Sequence, residues 1–325
     1  MVAEPVVPGG VPEGIGFGLA AVGRPGYINL GRDQDLPAAR GVDAMRDRAH
    51  ELLDHAYAHG VRYFDAARSY GRAEEFLAQW LATGGGRADA VVGSKWGYTY
   101  TANWRVDAET HEVKEHSAAT YDRQLAETRA LLDGRLNLYQ VHSVTPGSPV
   151  LTDTALQRRL AGAAAEGVVV GLSTSGPRQH EAIRAALDVE VDGEPLFRSV
   201  QATWNLLEPS AGPALAEAHA AGRVVIVKEA LANGRLARPD AATAAYLAPV
   251  AERTGASYDA LALAAALQQP WSRVVLSGAA TTAQLASNLR AGEVSLTADD
   301  VTGLLGALAE PPQTYWSHRA ALPWA

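Results

Sequence analysis

The sequence predicts an α/β fold in which eight parallel strands close into one barrel. Runs typical of strands begin near residues 14, 61, 90, 136, 168, 196, 224 and 274, and helix-like sequence follows each of them. Strands that alternate with helices indicate parallel pairing through helical crossovers. No G-x-G-x-x-G fingerprint follows the first strand, which argues against a Rossmann sheet. We therefore expect a (β/α)8 TIM barrel whose functional site lies at the C-terminal rim of the strands.

The composition fits one large domain, which we expect to cover residues 1–325. Barrels of this class commonly use about 250 residues or more as a single domain. Hydrophobic residues make up 47% of the chain and charged residues 20%, which are values of globular proteins with a large core. The net charge of -8 has no basic arm to offset it, so nucleic acid and anionic membranes are disfavoured as partners.

The sequence contains no cysteine, which excludes disulfides, thiolate metal sites and cysteine nucleophiles. Its first residues, MVAEPVVPGGVPEG, have neither the positive segment nor the long apolar segment of a signal peptide. Apolar runs such as residues 261–267 are too short to span a bilayer. We therefore expect a cytoplasmic protein that acts on a small molecule, whereas no pattern predicts its oligomeric state.

The first two βα units lead to a carboxylate and a tyrosine. Residues 14–18 (GIGFG) form the first strand, and residues 42–59 have apolar side chains at helical spacing before a C-cap glycine. The second strand begins at residue 61 and ends at Asp65, and the chain then turns through Tyr70. A helix over residues 73–81 follows and is stopped by three glycines at positions 84–86.

The third and fourth strands also end in polar side chains. Residues 90–95 (AVVGSK) end in Lys95, and residues 136–142 (LNLYQVH) end in His142. Each polar residue has an ordinary structural explanation, as a turn residue, a solvated lysine or a hydrogen-bonded core histidine. If consecutive strands are neighbours in a closed barrel, however, the four side chains from Asp65 to His142 converge on one rim.

These stretches give the chain a resemblance to the aldo-keto reductase family. The matching segments are YFDAARSYG, VVGSKWG and LYQVHS, and the resemblance extends over nearly the whole chain. It implies an NAD(P)H-dependent oxidoreductase whose catalytic residues are Asp65, Tyr70, Lys95 and His142.

The resemblance implies reversible reduction of an aldehyde or ketone carbonyl to an alcohol. Tyr70 would give a proton to the developing alkoxide, and the ammonium of Lys95 would lower the pKa of the tyrosine. Asp65 would hold Lys95 charged and oriented. His142 would hydrogen-bond the carbonyl oxygen and align it with the hydride donor.

The resemblance also implies where the nicotinamide is bound. The first strand passes its backbone close to the ring at Gly18 and Leu19, where glycine permits the approach. The family places a serine and an asparagine on the carboxamide after the fifth strand, and this chain has Ser173 and Thr174 there. Gln201, at the end of the sixth strand, matches a glutamine used on the same carboxamide.

The seventh strand is followed by Lys228, where family members commonly carry an aromatic residue stacked on the nicotinamide. The aliphatic stem of the lysine would have to replace that stacking. Beyond it, Ala230, Leu231 and Gly234 resemble the loop that folds over the pyrophosphate.

The sequence LSGAATTAQLASNLRA after the eighth strand resembles the family's adenosine-phosphate segment at a helix N-terminus, which suits an anion. Gln284 and Asn288 match positions that contact the adenosine half. Gly278, Ala279 and Ala280 replace the basic residues that often bind the 2′-phosphate. NADP is the expected cofactor, and NAD is the alternative.

Aromatic residues mark the expected substrate pocket. The long loop after the third strand carries Trp96 and Tyr98, and Trp204 follows the sixth strand. In the same long loop, His111 and His116 would lie about 140° apart on a helix, so a solvated loop is favoured over a metal site and no metal is expected. The tail PPQTYWSHRAALPWA either closes over the pocket or packs on the barrel wall.

Other functions are compatible with the same fold. One is a nicotinamide-binding regulatory subunit without catalysis, and another is an aldose dehydrogenase that works in the oxidative direction. A third is a hydrolase or isomerase that uses the carboxylate, lysine and histidine without a cofactor, because fold alone does not determine function.

Overall fold

The computed structural model describes residues 10–36, 39–83, 87–132 and 134–324. Within these ranges the strands are β1 Gly14–Gly18, β2 Tyr63–Asp65, β3 Val91–Trp96, β4 Tyr98–Tyr100, β5 Glu112–Lys114, β6 Leu136–Val144, β7 Val169–Thr174, β8 Glu190–Val191, β9 Glu194–Pro195, β10 Ser199–Thr203, β11 Val224–Lys228 and β12 Val274–Ser277. Two antiparallel hairpins, β4–β5 and β8–β9, lie outside the main sheet. The other eight strands are parallel and form a closed barrel in which chain neighbours pair and β12 pairs with β1. The predicted (β/α)8 barrel is therefore confirmed.

Helices connect the barrel strands in the same ranges. They are α1 Arg32–Asp35, α2 Val42–Ala58, α3 Ala73–Ala82, α4 Ala118–Leu132, α5 Thr154–Ala165, α6 Gln179–Leu187, α7 Gly212–Ala220, α8 Ala241–Thr254, α9 Tyr258–Leu267, α10 Thr282–Leu289, α11 Ala298–Leu308 and α12 Pro312–Ala320.

Local sequence explains where these helices form. One face of α2 is buried, and its members recur at the helical spacing: Met45, Ala49, Leu52, Leu53 and Ala56. At the start of α4, the side-chain oxygen of Ser117 accepts a hydrogen bond from the backbone N–H of Thr120 (3.2 Å), which is the expected N-cap. The glycines at positions 84–86, which were expected to stop α3, lie outside the described residues.

The structure also contains secondary structure that the sequence pattern does not predict. The long loop after β3 contains the hairpin β4–β5, and the C-terminal tail contains α12. No helix within the described ranges combines the length and the apolar character needed to cross a membrane.

The barrel interior is apolar near the strand starts and polar near their C-terminal ends. The apolar part is a buried cluster that includes Tyr63, Leu138 and Ile226. Gly93 leaves room for the Tyr63 ring, because a Cβ atom at this glycine would lie 2.3 Å from the Tyr63 hydroxyl oxygen. The polar part includes the buried side chain of Gln201 and faces the rim where the predicted site residues lie.

Candidate active site

Tyr70 is held in a tight turn between β2 and α3. Its backbone N–H donates to the carbonyl oxygen of Ala67 (3.0 Å), and its carbonyl oxygen accepts from the N–H of Ala73 (3.1 Å). The next residue, Gly71, has a φ of +61°, a left-handed conformation that glycine adopts without steric cost. The turn leaves the phenol buried at the barrel rim, with 8% of the residue exposed.

Asp65 and Lys95 form a buried ion pair at the C-terminal ends of β2 and β3. The Lys95 ammonium donates to the Asp65 carboxylate and to the carbonyl oxygen of Ala66 (3.0 Å). Removing one partner of such a pair would leave an uncompensated buried charge. The pair also fixes the ammonium nitrogen 5.0 Å from the centroid of the Tyr70 ring.

A bulge in β6 accompanies His142 at the rim. The register between β6 and β7 shifts between Val141 and Val144, so two residues oppose one. Ser143 has a φ of 56°, and its backbone N–H donates to the side-chain oxygen of Ser173 (2.9 Å). Bulges of this kind redirect side chains near functional sites.

Tyr70 and His142 meet at the rim. The Tyr70 hydroxyl oxygen lies 3.5 Å from His142 Nε2, and the two rings pack edge to face. Burial lowers the pKa of His142 well below its usual value, and the nearby positive charges of Lys95 and Lys228 lower it further. His142 is therefore a neutral imidazole at neutral pH.

The pKa of Tyr70 differs from the expectation. Burial raises it well above the usual value for a phenol, and the Asp65 carboxylate raises it further, while the Arg24 guanidinium opposes the rise. The Lys95 ammonium, which is paired with Asp65, does not reverse this rise. Tyr70 therefore keeps its proton at neutral pH.

A chain of buried hydrogen bonds supports Asp65 from inside the barrel. The Gln201 amide nitrogen donates to Asp65 Oδ1 (3.0 Å) and to the side-chain oxygen of Gln140 (3.2 Å). Gln140 in turn donates to the hydroxyl of Ser199 (3.2 Å). Sequence reasoning missed Gln140, and its only signal is a polar residue at an inward position of a buried strand.

The site opens into a cavity of about 590 Å³. At one end its wall includes Asp65, Tyr70 and His142, and at the other it includes the start of α10. The segment between Ala230 and Gly234 lies along it. The cavity therefore reaches from the end of β2 to the start of α10, and Lys95 is not among the residues that line it.

The C-terminal tail forms part of the roof of this cavity. Trp324 stacks on the His111 ring (centroids 4.1 Å apart), meets Tyr27 edge to face, and lies under the Arg24 guanidinium (4.8 Å from the ring centroid). Arg24 also pairs with Glu112 of β5 (2.8 Å). The structure shows both alternatives for the tail, since Tyr315 and Trp316 pack in a buried cluster with helix residues such as Leu247, whereas Trp324 lines the cavity. Sequence reasoning missed Arg24 and Glu112, which carry no local motif.

Lys228 belongs to a charged group at the end of β11. Its ammonium donates to the Thr203 hydroxyl (2.7 Å), and burial lowers its pKa to about 8 although Glu229 opposes this. Arg319 of α12 donates to both carboxylate oxygens of Glu229 (3.0 Å each from Nε). Burial would raise the pKa of Glu229, but Arg319 and Lys228 lower it to about 2.

Most of the residues expected to hold a cofactor line the cavity. They are Gly18, Gln201, Lys228, Ala230, Leu231, Gly234, Gly278, Ala279, Gln284 and Asn288. Leu19, Ser173 and Thr174 do not line it. The Ser173 hydroxyl accepts from Ser143, and the Thr174 hydroxyl donates to Gln179 (3.2 Å), so both hydroxyls serve the protein's own structure.

None of the three expected substrate residues is among those that line the cavity. Trp96 is buried against Tyr121, and Trp204 packs edge to face on Trp271. Tyr98 packs against the His142 ring (centroids 5.0 Å apart) and supports it from the side. Packing between the barrel and its helices takes up Trp96 and Trp204, and a role of the three aromatic residues in substrate binding stays a prediction.

The two histidines of the long loop have separate partners. His116 donates from Nε2 to the carbonyl oxygen of His142 (2.8 Å), and burial lowers its pKa to about 4. His111 lies against Trp324 instead. In the part of the chain that the structure describes, no group of three or more His, Asp or Glu side chains is arranged to hold a metal ion.

Comparisons with known proteins agree with this fold. The model of the aldo/keto reductase family matches residues 38–307. An aldo-keto reductase of Strobilurus tenacellus, str7, is 29% identical over 136 residues, which are 42% of this chain and 35% of that protein. The aligned stretch thus spans about a third of the length of this curated relative.

Two solved structures share the fold. The holo form of an aldo-keto reductase from Bacillus halodurans superimposes with a TM-score of 0.69 at 21% identity, covering 91% of this chain and 92% of the other. A glycerol dehydrogenase from Gluconobacter oxydans gives a TM-score of 0.69 at 19% identity, with the same coverage of 91% and 92%. Because the family model spans most of the chain and the barrel has the same architecture, this protein belongs to the aldo/keto reductase family.

Proposed function

We propose that the protein is an NAD(P)H-dependent oxidoreductase that reversibly reduces an aldehyde or ketone carbonyl to an alcohol. The observation that carries the proposal is the pair formed by the Tyr70 hydroxyl and His142 Nε2, 3.5 Å apart at one end of the cavity. These groups offer a proton and a second hydrogen-bonding atom to a single oxygen. Family membership supports the same reaction.

The cavity suits a nicotinamide dinucleotide. Its lining runs from the end of β2 to the start of α10 and includes the loop from Ala230 to Gly234, in which Gly234 has a φ of +98°. Gln201 would hold the nicotinamide side, and Gln284 and Asn288 would hold the adenosine side. When bound in reduced form, the dinucleotide supplies the hydride that goes to the carbonyl carbon.

Tyr70 is the proposed general acid. As the hydride reaches the carbonyl carbon, negative charge develops on the oxygen, and the Tyr70 O–H bond breaks as its proton moves to that oxygen. A buried phenol with a raised pKa is protonated at neutral pH, so its proton is available when that charge develops. The Arg24 guanidinium, which lowers the pKa of Tyr70, would stabilise the resulting phenolate in part, and solvent would return the proton.

His142 would orient the substrate carbonyl, and Asp65 would orient Lys95. The neutral His142 imidazole can donate one hydrogen bond to the carbonyl oxygen, which aligns the carbonyl and stabilises the developing charge. Asp65 keeps Lys95 in place through their buried pair. We assign both roles as part of the proposal.

The residues of the roof indicate which substrates the cavity could accept. Trp324 and Tyr27 offer aromatic surface, while Arg24 and Glu112 offer charged hydrogen-bonding groups. Such a wall suits carbonyl compounds that carry both apolar and hydroxyl groups. The fold neighbour named a glycerol dehydrogenase is consistent with the oxidative direction, so the alternative of an aldose dehydrogenase is tested in the same assay.

The test is a panel of aldehydes, ketones and aldoses, assayed separately with NADPH and NADH and, for the reverse direction, with the oxidised cofactors. We expect stopped-flow oxidation of bound reduced cofactor by at least one carbonyl compound. Cofactor binding without any turnover would instead favour the regulatory subunit. Absence of cofactor binding would favour a hydrolase or isomerase.

A further inference from the structure

The inference concerns the part of the cavity lined by α9, the end of β12 and α10, and it rests on the proposed function. We call this region the distal end and define it by the lining residues Asp259, Leu276, Ser277, Gly278, Ala279, Ala280, Ala283, Gln284, Ser287 and Asn288. A dinucleotide whose nicotinamide lies at Tyr70 would place its adenosine ribose here. NAD and NADP differ only at the 2′ position of that ribose, so the distal end determines which is bound.

The wall of the distal end contains a carboxylate, that of Asp259. Asp259 is the second residue of α9 and is partly buried. In the orientation that satisfies both atoms of its amide, Asn288 donates to Asp259 Oδ2 (2.8 Å) and accepts from the Ser277 hydroxyl (2.8 Å). The carboxylate is therefore held in place, and an ionised carboxylate only accepts hydrogen bonds.

Among the described residues that line the cavity, the cations lie outside the distal end. They are Arg24, Lys228, Arg238 and Arg319. Arg238 is paired with Asp35 (2.9 Å). One further arginine, Arg48 of α2, reaches the carbonyl oxygen of Ala280 (3.3 Å) from behind the wall and pairs with Glu51 (3.4 Å).

Backbone N–H groups at the start of α10 donate hydrogen bonds to side chains of the same segment. The Thr281 hydroxyl oxygen accepts from the N–H of Gln284 (3.1 Å), and the side-chain oxygen of Gln284 accepts from the N–H of Ala280 (2.9 Å). The sequence indicated an anion site at this helix end. The N–H of Ala280, just before the helix, and that of Gln284 in its first turn instead bond to side chains of the chain itself, so fewer donors remain for a phosphate.

We propose that Asp259 is a specificity-determining residue that selects NAD(H) over NADP(H). Its carboxylate would accept hydrogen bonds from the hydroxyls of the adenosine ribose. A 2′-phosphate, which carries a charge of about −1.5 to −2 at neutral pH, would face this like charge without an arginine or lysine in the wall to offset it.

The test measures dissociation constants of the full chain for NADH and NADPH separately, by nicotinamide fluorescence and without substrate. We expect NADH to bind at least about tenfold more tightly, a difference of roughly 1.4 kcal/mol. Asp259→Asn should reduce this preference about tenfold, because the amide keeps the shape and loses the charge. Asp122→Asn removes an exposed carboxylate of α4 that pairs with Arg159 and should leave the preference unchanged.

Several results would overturn the inference. One is tighter binding of NADPH by the unaltered protein, which tests the inference even if Asp259→Asn does not fold. Another is an unchanged preference in a folded Asp259→Asn variant. A third is a selective loss of NADPH affinity in Arg48→Ala, which would make Arg48 the 2′-phosphate ligand. Binding of neither cofactor would overturn the proposed function as well, whereas a preference for NADPH would leave that function intact.

Discussion

Tyr70 combines two properties at the scale of one residue. Burial and Asp65 raise its pKa, so the phenol is fully protonated before reaction. Of the two cations near its ring, Lys95 (5.0 Å from the centroid) is paired with Asp65, and Arg24 (5.3 Å) offsets part of the rise in pKa. The site therefore holds the proton in the resting state until negative charge develops on the carbonyl oxygen.

Replacing Tyr70 with Phe tests the acid role. We expect turnover to fall by roughly 10²- to 10⁴-fold, since general acid catalysis typically contributes that much. The dissociation constant for the reduced cofactor should stay the same, because the ring remains. Stopped-flow oxidation of bound cofactor and fluorescence titration measure the two quantities. Tyr246→Phe, on the exposed surface of α8, is the control, and an equally active Tyr70→Phe enzyme would remove Tyr70 from the acid role.

At the scale of elements, the C-terminal helix α12 is tied to the loop after β11 by charge. Glu229 has a φ of 56°, a left-handed conformation that is unusual for a residue with a side chain. Its carboxylate accepts from the Arg319 guanidinium and from the Thr203 hydroxyl (3.0 Å), and its backbone carbonyl accepts from Asn205 (2.9 Å). These bonds hold the backbone in that conformation beside the cavity.

The depressed pKa of Glu229 makes this link dependent on pH. A carboxyl whose pKa falls from 4.5 to about 2 on folding stabilises the folded state fully above pH 4.5 and loses this effect as the pH falls toward 2. At about 1.4 kcal/mol per pKa unit, the stabilisation is on the order of 3 kcal/mol. We expect Glu229→Gln to lower the free energy of unfolding at pH 7 by about this amount, and the difference from the unaltered protein to shrink between pH 4.5 and 2.

Urea titrations at several pH values measure this difference. Glu181→Gln, which removes an exposed carboxylate paired with Arg178, should change stability little at any pH. A destabilisation by Glu229→Gln that is the same at pH 7 and pH 3 would show that packing, and not the ionised pair, accounts for the effect.

The closeness of β2 and β3 inside the barrel gives another prediction at this scale. A Cβ atom at Gly93 would lie 2.3 Å from the Tyr63 hydroxyl, and Tyr63 is fully buried, so its ring has no free space. Gly93→Ala should therefore destabilise the fold by about 1–3 kcal/mol, the usual effect of overpacking. The Tyr63 hydroxyl donates to Asp65 Oδ1 (3.3 Å), so activity should fall as well.

Chemical unfolding of Gly93→Ala measures the destabilisation. Gly162→Ala is the matched control, because this glycine lies within α5 with no neighbouring atom within 4 Å of an added Cβ. Alanine should stabilise that helix by about 0.5–1 kcal/mol. Equal stability of the two variants would mean that the Tyr63 ring shifts freely within the barrel.

For the whole molecule, the sequence predicts a residue's place when neighbouring residues determine it, and fails when the place depends on contacts with distant parts of the chain. Asp65 and Lys95 each end an apolar run, so their place on the rim follows from strand direction alone. Trp204 was assigned to the pocket for its aromatic character, but which face it presents depends on packing against Trp271. Arg319 could not be assigned, since its partner Glu229 lies 90 residues away and the helix that carries it has no motif.

The roof of the cavity is built from residues that lie far apart in the sequence. Trp324 near the C-terminus lies against Arg24 from the loop after β1 and His111 from the loop after β3. Burial lowers the pKa of His111, and Arg24 lowers it further, so the stacked ring is neutral at pH 7. Closure of this side of the cavity thus depends on contacts that exist only in the complete fold.

Trp324→Ala tests whether this roof holds the substrate. Ring stacking and the cation–π contact are each worth about 0.5–1.5 kcal/mol. If closure of the cavity depends on them, the KM for a carbonyl substrate should rise about tenfold while kcat changes less, because the proton donor stays in place. The melting temperature should change little, since the residue is only partly buried and does not belong to the barrel core. Tyr246→Ala, which removes an exposed aromatic ring from α8, should leave both constants unchanged. An unchanged KM in Trp324→Ala would mean that the tail covers the cavity without contributing to substrate binding.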